Sequence, residues 1–386
     1  MVSQGFGVEA EWEAGHAAGV STGQSGSERI SARGCRKVLV VDLGFLGDTI
    51  HTIPALWELR RAHREAALQV VTTPVGAEVL SLVPCVDRVW TVPLGTPSPP
   101  WWRHLDLQWR LFRERFECSV NFSGADRTLF MTAFAGVGRR VTRAGRRGGL
   151  WRRWLGGRMI PAPSRALPVY EQRRQVLAGA GYALEPARFD LRIPETESAW
   201  AASVLAGWSD VGKAVVHISI NASSPFKEWP VERWVAWVKA FLKTGRGRVL
   251  ATGSPKEREQ ARLQELVSGV GDDRLKVMAN GLSIPRLAAL VKRCALHVGT
   301  DSGVTHLAMA LGLPTVSVFR DYAGLEEWRP AGPQHAAVTS PCACVDQPAM
   351  RPDCMAAGTA LCLSRIGPES VMACVEQVWG RGGREG

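Results

Sequence analysis

The sequence contains no apolar run of about 18 residues, the length that a transmembrane helix requires, and so it predicts no membrane span. No apolar signal-peptide core follows the N-terminus, and there is no internal repeat of the solenoid type. Residues 1–34, rich in Gly, Ser, Ala and Glu, indicate a disordered leader or a start placed too far upstream. Together these absences predict a cytoplasmic protein.

The nine cysteines do not form the dense, regularly spaced set of a secreted disulfide framework. Four of them cluster near the end with the spacing C-x-C-x9-C-x7-C, at Cys342, Cys344, Cys354 and Cys362. This group could ligate zinc or an iron–sulfur cluster, although it lacks the C-x2-C pairs that are usual in zinc sites. Reduced structural thiols are the alternative, and we predict no metal site from this spacing.

The charge and length of the chain limit its partners and its organisation. Its 47 Lys and Arg exceed its 36 Asp and Glu, and the net charge of +11 favours anionic partners such as lipid headgroups, phosphorylated glycans or nucleic acid. At 386 residues the chain is long enough for two domains of ordinary size.

Apolar runs typical of strands alternate with amphipathic segments along the chain, which predicts an α/β protein whose parallel sheets carry helices on both faces. The first strand is predicted at residues 38–42, and residues 54–63 form most of the first helix. The segment 186–211 contains Pro194 and several acidic residues and is typical of a linker, after which the alternation restarts at 214–220. We therefore predict an N-terminal domain at 35–193 and a C-terminal domain at 194–367.

A glycine-rich turn at 298–310 predicts a binding site. There an apolar run ends in Gly-Thr-Asp-Ser-Gly and leads into a helix-like segment. The first N–H groups of a helix lack intrahelical partners, and with the helix dipole behind them they attract anions. Asp301 suits sugar hydroxyls instead, so the pattern favours a phosphate and a polyol together, as in a nucleotide sugar. An ordinary turn capped by Asp301 or Ser302 is the alternative.

A second glycine turn lies at 38–56, where a predicted buried strand passes through Gly44 and Gly47 into a helix. The carboxylate of Asp48 falls at the carboxyl end of that strand, where open α/β sheets bind their ligands. A helix N-cap is the alternative role for this aspartate.

Together the two segments resemble the ADP-heptose:lipopolysaccharide heptosyltransferases, glycosyltransferase family 9. That family carries an N-terminal Gly-Asp-x5-Pro-Ala-Leu pattern and a C-terminal Asp-Thr/Ser-Gly-x-x-His-Leu pattern. Here these patterns are Gly47-Asp48 through Pro54-Ala55-Leu56, and Asp301-Ser302-Gly303 through His306-Leu307. A third match, to the Lys-x-Trp-Pro segment of the family, lies within 221–230, and the resemblance covers roughly residues 36–379.

The resemblance implies a GT-B fold, two Rossmann-like domains facing across a cleft, with a last helix in 368–386 that crosses back onto the N-terminal domain. It implies inverting transfer of heptose from ADP-heptose to a lipopolysaccharide inner-core acceptor, with Asp48 as general base. No cofactor and no metal are expected, because Lys227 and a helix end would neutralise the leaving diphosphate. Another nucleotide sugar or glycan, or a non-catalytic module that binds nucleotide or anionic glycan, are the alternatives.

The same resemblance assigns further residues. The donor side is expected to consist of Ser223, Lys227, Glu257, Asp301, Ser302, Gly303 and His306. Lys227 would hold the diphosphate and Glu257 the ribose, while His306 is equally suited to a packing role and Glu257 to a first-turn role. Many relatives have a basic residue and then small polar residues before the Gly-Asp pair, where this chain has Asp42-Leu-Gly-Phe-Leu. This difference predicts a different charge beside the acceptor phosphate.

A basic and aromatic region is predicted to face the acceptor and the membrane. Residues 139–158 hold eight arginines and no acid, interleaved with Trp151 and Trp154. The acceptor and membrane side is assigned His51, Arg139, Arg140, Arg143, Arg146 and Arg147. Arginine with tryptophan suits the inner face of an anionic bacterial inner membrane and a lipid-linked glycan acceptor. A solvated basic face or nucleic-acid binding is the alternative, and we expect no nucleic-acid partner.

Overall fold

The computed structural model describes residues 34–92, 104–145, 149–208, 213–343 and 351–382. They form two six-stranded sheets with the orders β3-β2-β1-β4-β5-β6 and β12-β11-β10-β7-β8-β9. All pairs of neighbouring strands are parallel. The strand before each glycine turn is central in its sheet, because β1 lies between β2 and β4, and β10 lies between β7 and β11. The predicted α/β class with parallel sheets is confirmed.

The first sheet is formed by β1 (Lys37–Val41), β2 (Ala67–Thr72), β3 (Arg88–Thr91), β4 (Cys118–Asn121), β5 (Arg139–Arg143) and β6 (Arg158–Ile160). Its helices are α1 (Leu46–Ala62), α2 (Pro74–Leu80), α3 (Leu105–Glu114), α4 (Asp126–Phe134), α5 (Leu150–Gly156) and α6 (Val169–Gly179). β1 is buried from Val38 to Val41 because it lies between β2 and β4 with helices on both faces.

The second sheet is formed by β7 (Ala214–Ser219), β8 (Gly247–Thr252), β9 (Leu275–Met278), β10 (Leu296–Thr300), β11 (Thr315–Val318) and β12 (His335–Val338). Its helices are α7 (Glu195–Ala206), α8 (Val231–Lys243), α9 (Glu257–Val270), α10 (Ile284–Lys292), α11 (Gly303–Ala310), α12 (Leu325–Trp328), α13 (Pro352–Ala357), α14 (Leu361–Ser364) and α15 (Pro368–Gly382). A 3₁₀ turn spans Pro225–Lys227.

Two predictions concern the connections. The segment 186–211, predicted to carry the linker, has no helix or strand at 186–194 and then enters α7, which packs against α10. The predicted crossing of the last helix onto the first domain is wrong for residues 368–382, since α15 packs on α8 and on the β11–β12 edge. The physical reason is its apolar stripe, in which Val371, Val375 and Val378 join the aromatic core beneath α8.

The hydrophobic core continues from one sheet unit to the other. One cluster contains Ile50 and Leu56 of α1 together with Leu307 of α11 and Leu290 of α10. A pair of α/β units that share buried apolar side chains in this way is held in a defined orientation. No helix within the described residues has both the length and the apolar character needed to cross a bilayer.

Buried histidines link three strands of the second sheet. His217 and His297 are register partners on β7 and β10, and their Nδ1 atoms are 2.8 Å apart. His217 Nε2 lies 2.9 Å from the Thr252 hydroxyl, and His297 Nε2 lies 3.1 Å from the Thr305 hydroxyl. Burial lowers the pKa of His217 to about 3 and that of His297 well below 6.5. Both imidazoles are therefore neutral in the folded protein at pH 7.

Acidification is expected to destabilise this protein because of its neutral histidines, which also include the half-buried His335 on β12, whose pKa burial lowers to about 4. Below the unfolded pKa of 6.5 the unfolded state binds protons that the folded state, with pKa values near 3 for His217 and 4 for His335, does not bind. The free energy of unfolding should fall by about 2 kcal/mol for each such histidine at about pH 5. Urea unfolding between pH 7.5 and 5 measures this, and a His335→Gln variant should lose less stability on acidification. A pH-independent free energy of unfolding would contradict the prediction.

Candidate active site

The first glycine turn brings Asp48 to the carboxyl end of β1. α1 starts at Leu46, so Asp48 is the third residue of the helix, and its Oδ2 accepts the Phe45 backbone N–H at 3.0 Å. A Cβ on Gly44 would collide with the Asp48 side chain, which explains the glycine at that position. Asp48 therefore stabilises the helix start with Oδ2, while its other oxygen, Oδ1, faces Arg173.

Two residues that the motif assignments missed surround this aspartate. Arg173 of α6 lies with Nη2 3.5 Å from Asp48 Oδ1 and Nη1 3.5 Å from Asp42 Oδ2. The Thr52 hydroxyl donates to Asp42 Oδ2 at 2.7 Å, and the Gly44 N–H donates to Asp42 Oδ1 at 3.3 Å. The sequence showed Asp42 only as a departure from the family pattern. It offered no signal for Arg173, which lies outside all three motifs.

The environment makes Asp48 a better proton acceptor than an ordinary aspartate. Burial raises its pKa above 3.8, with a further rise from the charge of Asp42. Arg173, the Phe45 N–H and Lys227 oppose the increase. A carboxylate with a raised pKa beside a cavity is a recurrent property of catalytic bases.

A cavity of about 280 Å³ opens beside this carboxylate. It lies at the carboxyl ends of β1, β4 and β5, and is lined there by Asp42, Asp48, Ser123 and Arg143. Arg173 of α6 and Trp328 of α12 complete its wall, so both sheet units contribute to it. Ligands of open parallel sheets bind at this edge.

The structure separates the arginines that were assigned to the acceptor side. Arg143 lines the cavity. Arg139 lies at the opposite end of β5, 3.8 Å from Glu117, and the Arg140 guanidinium donates to the carbonyls of Val137, Trp154 and Leu155. Arg139 and Arg140 are therefore engaged in local structure away from the cavity. Arg146 and Arg147 lie outside the described residues.

Lys227 and Asp301 form an ion pair on the second domain, with Nζ 2.8 Å from Oδ2. Asp301 is buried directly after β10, while Lys227 ends the 3₁₀ turn and is partly exposed. The turn is anchored by Glu228, which is buried, accepts the Ala222 N–H at 2.8 Å and pairs with Arg258 at 2.5 Å. This network fixes where the Lys227 backbone lies.

The remaining donor-side residues differ in their surroundings. Ser302 precedes α11, and its hydroxyl is 3.4 Å from that of Ser219. A Cβ on Gly303 would lie 2.7 Å from the Leu46 side chain, so the start of α11 meets the start of α1. Ser223 and Glu257 are exposed, and Glu257 is the first residue of α9.

The two glycine motifs meet through a pair of histidines. His51 Nε2 lies 3.1 Å from His306 Nδ1, and the ring of Trp328 contacts both imidazoles at centroid distances of 5.5 and 5.6 Å. Gly47 is required here, because a Cβ would lie 2.8 Å from His306 Cδ2. Burial lowers the pKa of His306 to about 4 and that of His51 well below 6.5. Both rings are neutral at pH 7 and join the N- and C-terminal motifs.

The cysteines fall into two groups. Cys35 and Cys118 form a disulfide that joins the starts of β1 and β4, which the sequence analysis did not predict. In the tail, Cys354 and Cys362 are buried and Cys342 is half-buried, while Cys344 lies outside the described residues. Among the residues that the structure describes, no group of three or more His, Cys, Asp or Glu side chains has a metal-binding arrangement.

Two parallel α/β units that meet at a cavity, with a carboxylate on one and a lysine beside a helix N-terminus on the other, form the GT-B arrangement found in glycosyltransferases. The model of glycosyltransferase family 9 (heptosyltransferase) matches residues 140–354. The chain therefore belongs to glycosyltransferase family 9.

Similar proteins agree with this assignment. Lipopolysaccharide heptosyltransferase 1 of Pseudomonas aeruginosa is 28% identical over 296 residues, covering 73% of this chain and 78% of that protein. The structure of E. coli ADP-heptose lipopolysaccharide heptosyltransferase II superposes with a TM-score of 0.71 at 17% identity, over 90% of this chain and 99% of that one. A family 9 glycosyltransferase from Veillonella parvula gives a TM-score of 0.73 at 18% identity, over 90% of this chain and 97% of that one. The predicted family, the GT-B fold and the enzyme class are thus confirmed.

Proposed function

We propose that this protein transfers heptose from ADP-heptose to a lipopolysaccharide inner-core acceptor, with inversion at the anomeric carbon. The observation that carries the proposal is the meeting of the two glycine motifs, which brings the basic carboxylate of Asp48 near the Lys227–Asp301 pair. The names of similar enzymes, lipopolysaccharide heptosyltransferases 1 and 2, support the choice of substrates.

In the proposed donor complex the diphosphate binds Lys227 and the N-terminus of α11 at Ser302 and Gly303. Lys227 now pairs with Asp301 at 2.8 Å, so an incoming diphosphate would take over part of the ammonium charge. The Asp301 carboxylate would then accept hydrogen bonds from the sugar hydroxyls. Ser223 and Glu257, both exposed, would reach the nucleotide, with Glu257 on the ribose. His306 would pack behind the sugar site as a neutral side chain.

In the proposed acceptor complex the attacking hydroxyl lies in the cavity beside Asp48. Asp48 takes its proton while the oxygen forms a bond to the anomeric carbon of the heptose. The bond from that carbon to the diphosphate breaks at the same time, and ADP leaves with its charge neutralised by Lys227 and the α11 N–H groups. Arg143, which lines the cavity, would lie beside an anionic group of the acceptor, and His51 supports the wall between the two substrates.

In this proposal, residues 35–193 bind the acceptor and residues 194–367 bind the nucleotide sugar. A lipid-linked acceptor would require the enzyme to work in the cytoplasm, peripherally on the inner face of the inner membrane. The net charge of +11 supports this location, because that face is anionic.

The choice of donor nucleotide is tested by thermal shift with ADP, GDP, UDP, CMP and dTDP in the absence of added metal. ADP alone should stabilise the protein, by about 2.7 kcal/mol at 100 times its dissociation constant. A preference for another nucleotide would retain the fold and replace the donor. Stabilisation by none of the five would contradict the transferase proposal and favour a module that binds anionic glycan.

A further inference from the structure

Most of the large hydrophobic side chains that are exposed in the described part of the chain lie on three consecutive helices of the first domain. Eight of the thirteen large hydrophobic side chains that are exposed in the described residues belong to α3, α4 and α5. They are Leu105, Trp109, Phe112, Phe130, Phe134, Leu150, Trp151 and Trp154. The two most exposed are Leu150 at 86% and Trp154 at 78%, so these side chains do not pack in the hydrophobic core. We call this surface the aromatic face.

The aromatic face is continuous across the three helices. The ring of Phe130 on α4 stacks with Trp151 on α5 at 5.8 Å and with Phe134 at 5.9 Å. Phe112 of α3 reaches the end of α4, where a Cβ on Gly136 would lie 3.0 Å from its ring. The Gln108 amide joins the same two helices by donating to the Met131 carbonyl at 3.1 Å. A contiguous exposed apolar surface of this kind marks a site that binds another protein or a membrane.

The charges around the aromatic face indicate which kind of partner binds there. The acidic side chains on its helices are already neutralised, with Asp106 2.7 Å from Arg110 and Asp126 2.7 Å from Arg152. Arg113 and Arg153 are exposed on the same helices, and neither has an acidic partner within the part of the chain that the structure describes. Aromatic and aliphatic side chains with unpaired arginines fit the headgroup region of an anionic bilayer. A second copy of this chain would bring to the contact a second set of the same arginines and, among the described residues of the face, no acidic partner for them.

The aromatic face also adjoins the cavity. Arg152 of α5 donates to the Gly124 carbonyl at 2.8 Å, and the next residue toward β4, Ser123, lines the cavity. Arg143 at the end of β5 lines the same cavity. A bilayer that contacts α4 and α5 would therefore lie near residues that line the cavity.

We propose that α3, α4 and α5 form a docking face that inserts its aromatic side chains into the surface of an anionic phospholipid bilayer. This proposal rests on the proposed function in one respect, since a lipid-linked acceptor gives the contact its purpose. Bound in this way, the protein holds the cavity at the level of the headgroups, where the sugars of such an acceptor begin.

The test is vesicle co-sedimentation of the full-length protein with phosphatidylcholine vesicles, with and without phosphatidylglycerol. Wild type should bind the anionic vesicles, and the double variant Phe134→Ser/Trp154→Ser should bind them about tenfold or more weakly. Val267→Ser/Met355→Ser is the matched control, because it removes two exposed apolar side chains that lie outside the face, and it should bind as wild type does. Equal binding by the double variant and wild type would overturn the proposal.

A second pair of variants tests the charge. Arg113→Gln/Arg153→Gln should weaken binding to anionic vesicles, with a reduced salt dependence, and leave any binding to phosphatidylcholine unchanged. If substitutions on the face instead abolish a dimer seen by sedimentation without changing vesicle binding, the face is a contact between copies and the proposal is wrong. Stabilisation by ADP should persist in every variant, so loss of docking is distinguishable from loss of nucleotide binding.

Discussion

Asp48→Asn is expected to reduce kcat by a factor of about 10² to 10⁴ while leaving ADP binding nearly unchanged. The asparagine carbonyl can still accept the Phe45 N–H, so the start of α1 should remain intact. What is lost is the carboxylate whose pKa burial raises and which lies beside the cavity. Steady-state transfer from ADP-heptose, together with thermal shift by ADP, separates the chemical step from donor binding.

The control for this variant is Asp353→Asn, because Asp353 is an exposed aspartate on α13 far along the chain from either motif. It should transfer heptose as wild type does. The wild-type rate should also fall on the acid side as Asp48 becomes protonated, at a pKa above 3.8, and this limb has to be read at pH values where the fold persists. Unchanged turnover in Asp48→Asn would rule out this residue as the base.

Lys227→Met is expected to lower kcat/KM by a factor of about 10² to 10³, through loss of charge stabilisation on the leaving diphosphate. It should also weaken ADP binding, unlike Asp48→Asn. A second effect is structural, because the substitution leaves Asp301, buried and 2.8 Å from the ammonium, without its cation. The melting temperature should therefore fall in the absence of ligand. Lys239→Met, an exposed lysine on α8, is the control for both measurements.

The double variant Lys227→Met/Asp301→Asn separates the two effects of Lys227. Removing the buried charge should restore part of the melting temperature that Lys227→Met loses, since no uncompensated carboxylate remains. Transfer should stay as low as in the single variant, because the ammonium proposed to bind the diphosphate is still absent. Recovery of transfer in the double variant would show that Lys227 acts only by neutralising Asp301.

The local elements of both motifs were predictable because their causes are local. An apolar run followed by small residues predicts a strand, a turn and a helix start, and this holds for β1 with α1 and for β10 with α11. The rule that ligands bind at carboxyl strand ends then located Asp48 and Asp301 at one edge of each sheet. That the two edges face each other was implied by the family resemblance, and no single segment of the sequence determines it.

The misassignments arise where a side chain's partner comes from a distant segment. Nothing in the sequence distinguishes Arg140 from Arg143. Arg143 is the last residue of β5, which ends at the cavity, so this side chain lines the cavity. Arg140 lies near the start of β5 and donates to carbonyls of α5 and of the loop before β5. The misplacement of α15 has the same cause. Its valine stripe can pack on any apolar surface within reach, and in the folded chain that surface is the aromatic core below α8.

The alternation of strands and helices, the two glycine turns and the family can be read from the order of residues alone. These features depend on hydrophobic period and turn chemistry over a few residues. The folded chain was needed to show that Arg173 joins Asp42 to Asp48, that His51 meets His306, and that eight apolar side chains form one exposed face. Each of these depends on side chains brought together from segments far apart in the chain, and the relative placement of two packed domains is a property of the whole buried surface.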